Sequence, residues 1–268
     1  MTVSDRPAAL THARPPIAAF FCSEGLYKRF GGVQAVRDIA LSVRRGEVFA
    51  IIGPNGAGKS TLLNLMSGVY QPDAGRMVFD DVDLVGVPAH KRARLGLART
   101  FQKIRLFKRL SVLGNVLAAF HIHHEIPPWQ YVVQGTAFAR DQERCRAEAL
   151  KLLDFVGLDA RAPVLAASLP YGEQRMLELA RALATAPRLL MLDEPAAGLN
   201  AAEVDRLLER IRLLREGGMT IIVVEHNMDL VMQIADRVMV MDYGQQLFEG
   251  PPAEAQRNAA VIAAYLGA

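Results

Sequence analysis

The amino-acid sequence predicts an α/β fold, with an antiparallel β subdomain near its start and an α-helical subdomain inserted into its middle. Three observations carry this expectation. The short apolar, β-branched run Val48-Phe49-Ala50-Ile51-Ile52 leads into a glycine-rich loop and then into Leu62, Leu63, Leu65 and Met66 at helical spacing. From residue 168 onward, apolar strand-like runs alternate with amphipathic helical patterns. Between the two, residues 103 to about 168 are helical in pattern, as an inserted subdomain would be.

Residues 1–16 hold Pro7, Pro15 and Pro16 among small and polar residues and read as a flexible N-terminal arm. The main domain is expected over 17–250, with a C-terminal tail helix within 251–268. Ala18 to Ser23 reads as a first strand. The aromatic and basic stretch Leu26-Tyr27-Lys28-Arg29-Phe30 then runs into a Gly31-Gly32 turn, and Ala35 to Val43 alternates apolar and polar as a strand does. Arg44-Arg45-Gly46-Glu47 turns into the 48–52 strand. Asp73 to Arg76 is a turn before a short strand, Met77 to Phe79, so the opening is antiparallel in character. A short basic helix is expected at 89–96 and a strand from Ala98 to Gln102. Ser111 is placed to cap a helix from Val112 to Phe120, and Arg140 to Val156 is a second helix. Further on come a helix from Glu173 to Ala184, a strand from Arg188 to Leu192 and a helix from Ala201 to Arg215. A strand from Met219 to Val224 and a helix from Asn227 to Ala235 follow. Strands near Val238 to Met241 and Gln245 to Phe248, then a short helix through Val261 to Leu266, complete the pattern.

Composition narrows the class. The net charge of +3 and pI of about 9.0 suit a nucleic acid or an anionic membrane face and decide neither. With 22% charged and 7% aromatic residues the chain is globular in composition. Cys22 and Cys145 are far apart and match no metal spacing, which points to buried thiols in a reduced compartment. No apolar run reaches the roughly 18 residues that a membrane-spanning helix needs. The apolar stretch from Ile17 to Cys22 is too short for a signal-peptide core, so a cytoplasmic protein is expected. His121, His123 and His124 could ligate a metal, but no fourth ligand is evident nearby, and a solvated helix end is the plainer reading.

Three constellations carry chemistry. Gly53-Pro54-Asn55-Gly56-Ala57-Gly58-Lys59-Ser60-Thr61 satisfies G-x-x-x-x-G-K-[ST] through Gly53, Gly58, Lys59 and Ser60, in the strand–loop–helix context of a P-loop NTPase core. Glycines let the backbone amides turn inward onto phosphate oxygens, and the helix start adds partial positive charge. Lys59 would reach the β- and γ-phosphates, and the Ser60 hydroxyl would ligate Mg²⁺. Second, Leu189-Leu190-Met191-Leu192-Asp193-Glu194 delivers two carboxylates at a strand tip. Asp193 would hold Mg²⁺ and Glu194 would act as general base on the attacking water. His226 and Gln102 stand at two further expected strand ends, His226 to fix the water and Gln102 to ligate Mg²⁺ or orient water. Third, Leu169-Pro170-Tyr171-Gly172-Glu173-Gln174 opens a helix whose leading amides, at Tyr171, Gly172 and Glu173, can hold phosphate. The P-loop already fills that role within one subunit, so this loop is expected to serve the nucleotide of a second copy.

On these residues the chain resembles an ATP-binding-cassette (ABC) ATPase subunit over about 18–250. The motifs fall in the family's order: Walker A at 53–61, the Q-loop at Gln102, the signature at 169–174, Walker B at 188–194, the D-loop at 196–200 and the switch histidine His226. The resemblance implies that Phe30 stacks on adenine, with Tyr27 as the second candidate. Two motifs depart from the pattern. Pro170 and Tyr171 replace the serine and first glycine of the signature, leaving Gly172 to carry the backbone contact, and Asn200 replaces the D-loop aspartate. Both departures resemble the cassettes of branched-chain amino-acid importers, as do Arg99-Thr100-Phe101-Gln102, Arg105-Leu106-Phe107 and Ala264-Tyr265-Leu266-Gly267.

The resemblance implies ATP and Mg²⁺ as ligands and a head-to-tail pair of cassettes, homo- or heterodimeric, closed by ATP. It implies multi-span permease subunits as partners at the cytoplasmic face of the inner or plasma membrane, contacted near Lys103, Arg105, Lys108 and Arg109. An external solute-binding protein would be an indirect partner. A cassette for another small solute such as urea, or for an exporter, is the alternative. A soluble ABC ATPase of repair or translation is disfavoured. The chain has one cassette, no long coiled-coil insertion between Gln102 and Leu169, and no basic nucleic-acid arm.

Overall fold

A computed structural model describes residues 19–120, 122 and 136–266. The N-terminal arm expected at 1–16 and the cluster His121, His123 and His124 lie outside the described residues. The chain runs through β1 (Ala19–Phe30), β2 (Val33–Arg44), β3 (Val48–Ile52), α1 (Lys59–Met66), β4 (Ala74–Phe79), β5 (Val82–Asp83), α2 (Ala89–Arg94) and β6 (Leu97–Arg99). It continues through α3 (Val112–Phe120), α4 (Thr136–Phe155), α5 (Tyr171–Ala184), β7 (Leu189–Asp193) and α6 (Ala201–Glu216). It then passes through β8 (Thr220–Glu225), α7 (Met228–Ile234), β9 (Arg237–Asp242), β10 (Gln245–Gly250), α8 (Pro252–Ala255) and α9 (Ala259–Leu266).

Two sheets carry the fold. The first is antiparallel in the order β2-β1-β4-β5, as the opening of the sequence predicts. The second has the order β10-β9-β3-β8-β7-β6; its pairings are parallel except for the β9–β10 hairpin. Every residue of β3, β7 and β8 is buried, which suits runs that are apolar on both faces. Parallel pairing sends the chain ends of β3, β6, β7 and β8 to one edge of the sheet, where open α/β sheets build their clefts.

Three apolar clusters fill the space around the second sheet. Leu62, Leu63, Leu65 and Met66 of α1 pack with Phe21, Val43 and Phe79 of the first sheet and with Ile51 and Met191 of the second. Val112, Val116, Leu153 and Leu177 join the helical insertion to the far face through Leu190, Leu192 and Val223. Beneath β3 and β9, Ile52 and Val240 pack with Val231, Ala255 and Val261.

Several element bounds depart from expectation. β1 does not stop at Ser23 but runs to Phe30. Its register shifts between Ser23 and Leu26 and again before Lys28, with Gly25 at φ 55°, and this irregularity breaks the alternation that marks a strand. β6 ends at Arg99 rather than at Gln102: Thr100 still donates to the Met191 carbonyl, but Gln102 sits in a bend beyond the pairing. The helix expected to start at Glu173 starts at Tyr171. The Ser111 cap stands as expected, its hydroxyl accepting from Gly114 N at 3.0 Å. Cys22 is buried in β1 and Cys145 half-buried on α4, and both are free thiols. Among the described residues no helix is long and apolar enough to cross a membrane.

One buried charge fixes the end of α1. Arg92 on α2 is fully buried and donates to the carbonyls of Leu65 (2.6 Å) and Met66 (2.9 Å) in the last turn of α1 and to those of Leu84 (2.6 Å) and Val87 (2.8 Å). Burial pulls its guanidinium down to about 10. The negative end of the helix and four carbonyl dipoles offset the cost of desolvating it. Replacing Arg92 by Met keeps much of the volume and strips those donors; it is expected to cost about 3 kcal/mol of stability. Urea denaturation measures this, and an unchanged midpoint would refute it.

Candidate active site

The loop after β3 is shaped by what lies behind it. Gly53 (φ 150°) and Gly58 (φ 98°) are held where a Cβ would collide with the carbonyl oxygens of Met241 and Ala35 respectively. Gly56 (φ 83°) makes the turn at the loop's exposed crest. α1 then begins at Lys59 with no side-chain cap and no acidic residue in its first turn. Its leading amides therefore have no intrahelical acceptor, and with the helix dipole they form a cradle for an anion. Lys59 is buried beneath the loop, its ammonium donating to the carbonyls of Gly53 (2.6 Å) and Pro54 (2.8 Å). Burial pulls the ammonium below its ordinary range, while the charges of Glu194, Glu225 and Asp193 oppose that shift.

A cavity of about 370 Å³ opens over the cradle. Asn55 to Thr61 line it together with Gln102, Glu194, the Val33–Ala35 end of β2 and the Tyr243-Gly244 turn. The structure thus brings Asn55, Gly56, Ala57, Gly58, Lys59, Ser60, Thr61, Gln102 and Glu194 together around this cavity, while Asp193 is not among the residues that line it. Phe30 is not among the residues lining that cavity: it stands exposed at the tip of β1, edge-on to Tyr70 at 5.2 Å, with the Lys28 ammonium 5.5 Å from its ring. Tyr27 is half-buried within β1.

The carboxylates stand in different surroundings. Asp193 ends β7, buried, and its Oδ2 accepts from Arg99 at 2.8 Å in an ion pair that is buried on both sides. Arg99 also donates to Asn64 (2.6 Å) and Ser67 (3.0 Å), so it ties α1 to β6 and β7, while Thr100 Oγ1 accepts from Asp193 N at 3.2 Å. Glu194 takes the left-handed backbone conformation (φ 44°), a strained geometry that functional sites tolerate. Its amide donates to the Val224 carbonyl at 2.9 Å, and its Oε2 accepts from Gln102 Nε2 at 2.9 Å. His226 Nδ1 lies 3.8 Å from Glu194 Oε1 and 3.8 Å from Glu225 Oε2, and its side chain is exposed. Ser60 and Gln102 line the cavity and Asp193 lies behind it with its Oδ2 on Arg99; their hydroxyl, amide and carboxylate oxygens are the donor types that a hard divalent cation such as Mg²⁺ takes.

Sequence reasoning gave no role to three residues here. Glu225 ends β8 buried and accepts from the amides of Ala196 (3.2 Å) and His226 (3.3 Å). Burial pushes its carboxyl above the ordinary range; the two amides pull the other way. Arg99 and Thr100 make their contacts to Asp193 only across the sheet. The available signal was position: each stands at or just beyond the end of a strand in the parallel sheet. Tyr265 on α9 lines a second cleft of about 700 Å³ with Pro54, Asn55 and His226, and its hydroxyl is buried with no hydrogen-bond partner among the described residues.

No residue of the 169–174 loop lines either cleft of its own chain. Pro170 stands at the N-cap of α5, Gly172 is buried against the Glu203 side chain, and Glu173 pairs with Arg161 at 3.4 Å. Asn200 caps α6 through a reciprocal box: its side chain accepts from Glu203 N at 3.0 Å and its own amide donates to Glu203 Oε2 at 2.9 Å.

The chain is similar to known proteins over most of its length. The family model "ABC transporter" matches residues 36–197, and the model "Branched-chain amino acid ATP-binding cassette transporter" matches residues 245–268. The high-affinity branched-chain amino acid transport ATP-binding protein BraF of Pseudomonas aeruginosa is 44% identical over 244 residues, covering 91% of this chain and 96% of BraF. The corresponding LivG of Salmonella typhimurium is 43% identical with the same coverage. Among solved structures, the ADP conformation of MJ1267, an ATP-binding cassette of an ABC transporter, superposes with a TM-score of 0.81 at 30% identity, covering 93% of this chain and 99% of that one.

The Arg99–Asp193 pair carries a measurable consequence. Arg99→Met would leave Asp193 buried without its cation, and removing one partner of a buried pair costs about 3 kcal/mol or more. Thermal or urea unfolding should register that loss; an unaltered transition would mean that Asp193 is held by something other than Arg99.

Proposed function

This chain belongs to the ABC transporter family, whose cassettes bind and hydrolyse ATP, and from that premise we propose that it energises an importer of branched-chain or related amino acids. The observation that carries the reading is the agreement of the C-terminal segment 245–268 with the branched-chain cassette model, on top of the identity to BraF and LivG over nine-tenths of the chain.

In the proposed mechanism the backbone N–H groups of the 53–61 loop, Pro54 excepted, and the Lys59 ammonium hold the β- and γ-phosphates, and Phe30 packs against the adenine from outside the cavity. Ser60, Gln102 and Asp193 would hold Mg²⁺, which when bound screens charge between the phosphate oxygens. Glu194 takes a proton from the attacking water, whose oxygen bonds to the γ-phosphorus as the bond to the ADP oxygen breaks. Gln102 and His226, on either side of Glu194, orient that water. The leading backbone amides of Tyr171, Gly172 and Glu173 would face the nucleotide of a second cassette; that none of the three lines either cleft of its own chain supports this.

Shape supports the reading of the partners. A cleft of about 630 Å³, walled by Leu97, Phe101, Phe107, Ala119 and Ile122 and flanked by Arg105 and Arg181, lies between the second sheet and the helical insertion. It suits an apolar helix end from a multi-span permease, with the chain held peripherally at the cytoplasmic face. The domain division carries over as part of the same proposal: a cassette over 17–250 and a tail from 251. The solute is selected by the permease and an external binding protein.

Glu194→Gln is expected to bind ATP with near-normal affinity and to lose turnover by about 10² or more; wild-type turnover would remove the general-base role. For the wider reading, the tagged Glu194→Gln chain is held with Mg-ATP in detergent extract and its companions are identified by mass spectrometry. Multi-span permeases with a second cassette are expected, and a purely soluble or nucleic-acid set of partners would overturn transport.

A further inference from the structure

We propose that Tyr171 is a positioning residue for Glu194, and that its hydroxyl serves its own chain rather than a nucleotide. The inference rests on the reading of Glu194 as general base. Tyr171 opens α5, and its Oη donates to the Ala197 carbonyl at 3.1 Å. The Ala197 amide in turn donates to the Glu194 carbonyl at 3.1 Å, so two hydrogen bonds separate the phenol from the backbone of Glu194. The ring lies on the next residue, Gly198 (φ 78°), where a Cβ would stand 3.0 Å from Tyr171 Cε1. Gly172 is moulded in the same way against Glu203, whose carboxylate closes the Asn200 cap. The opening of α5 and the 194–203 segment are thus built to each other's shape.

The same helix turn holds the other neighbour of Glu194. Arg175 stands 5.4 Å from the Tyr171 ring and donates to the carbonyls of Phe101 (3.0 Å) and Gln102 (2.7 Å). Its ion-pair partner Glu178 (3.2 Å) accepts from Phe101 N at 3.2 Å. Gln102 reaches Glu194 Oε2 at 2.9 Å. Glu194 is therefore gripped from both sides by one end of α5: through Ala197 by Tyr171, and through Gln102 by Arg175. A residue held in a left-handed conformation persists only where its surroundings over-determine it, and these contacts supply that constraint. A shift of α5 against the sheet would move both grips together and turn the carboxylate.

The test compares wild type, Tyr171→Phe, Glu194→Gln and the double variant in the full chain. It reads ATPase kcat and KM, amide hydrogen exchange over 194–199 and in β3, and the melting temperature. Tyr171→Phe removes one oxygen from a half-exposed ring and leaves the packing on Gly198. It should lower kcat about ten-fold with KM within about two-fold. Exchange should speed several-fold at 194–199 and stay unchanged in β3. The double variant should turn over no more slowly than Glu194→Gln. Unchanged exchange at 194–199 overturns the proposal, and so does a raised KM at constant kcat, which would make Tyr171 a nucleotide contact. Wild-type turnover in Glu194→Gln would remove the general-base reading alone, because the exchange comparison still decides whether Tyr171 holds the turn.

Discussion

The parallel register of β9, β3, β8, β7 and β6 is the constraint on which the site depends. Ile52 pairs with Glu225, and Asp193 with Val224, so the loop after β3 and the carboxylates after β7 and β8 come to the same edge. Side chains in a strand alternate faces, and a slip of one residue would send Asp193 to the wrong side of the sheet. β3 and β7 are not neighbours: β8 lies between them, which places Glu225 and His226 between the phosphate loop and Glu194.

The chemistry-bearing residues were legible because they sit at the ends of apolar runs, where a strand pattern stops and a polar residue follows. Gly53, Asp193, Glu194 and His226 are all of that kind. What was illegible depends on contacts distant in sequence. Nothing local marks Arg92 on a basic helix as the one arginine, among the described residues, turned fully inward, or Arg99 as the cation of Asp193. The length of β1 was hidden by its register shifts around Gly25. The start of α5 at Tyr171 was hidden because Tyr and Gly are poor helix formers, and the tertiary contacts of both residues outweigh that propensity.

The two departures from the family pattern look different once placed in the fold. Read from sequence, Asn200 is a missing charge and Tyr171 a missing glycine. In the structure Asn200 is an N-cap, a position at which Asn serves as well as Asp. Its box partner Glu203 also provides the surface against which Gly172 lies. Tyr171 adds a hydroxyl and a ring that fit the Ala197-Gly198 backbone. Both substitutions thus act on the 197–203 segment, Tyr171 through Ala197 and Gly198 and Asn200 through its box with Glu203.

Three carboxylates beneath a phosphate site would repel a polyanion if all were equally charged and equally open. Their surroundings divide the work. Asp193 is neutralised as a pair by Arg99, with both side chains buried. Glu225 is withdrawn from solvent, and burial biases it towards its neutral form despite the two amides it accepts from. Glu194 alone keeps its carboxylate on the cavity wall, with a neutral amide donor rather than a cation against it. In the proposed mechanism, then, position rather than residue type leaves Glu194 as the carboxylate that can reach the water: Asp193 is tied to Arg99, and Glu225 is shut away from the cavity.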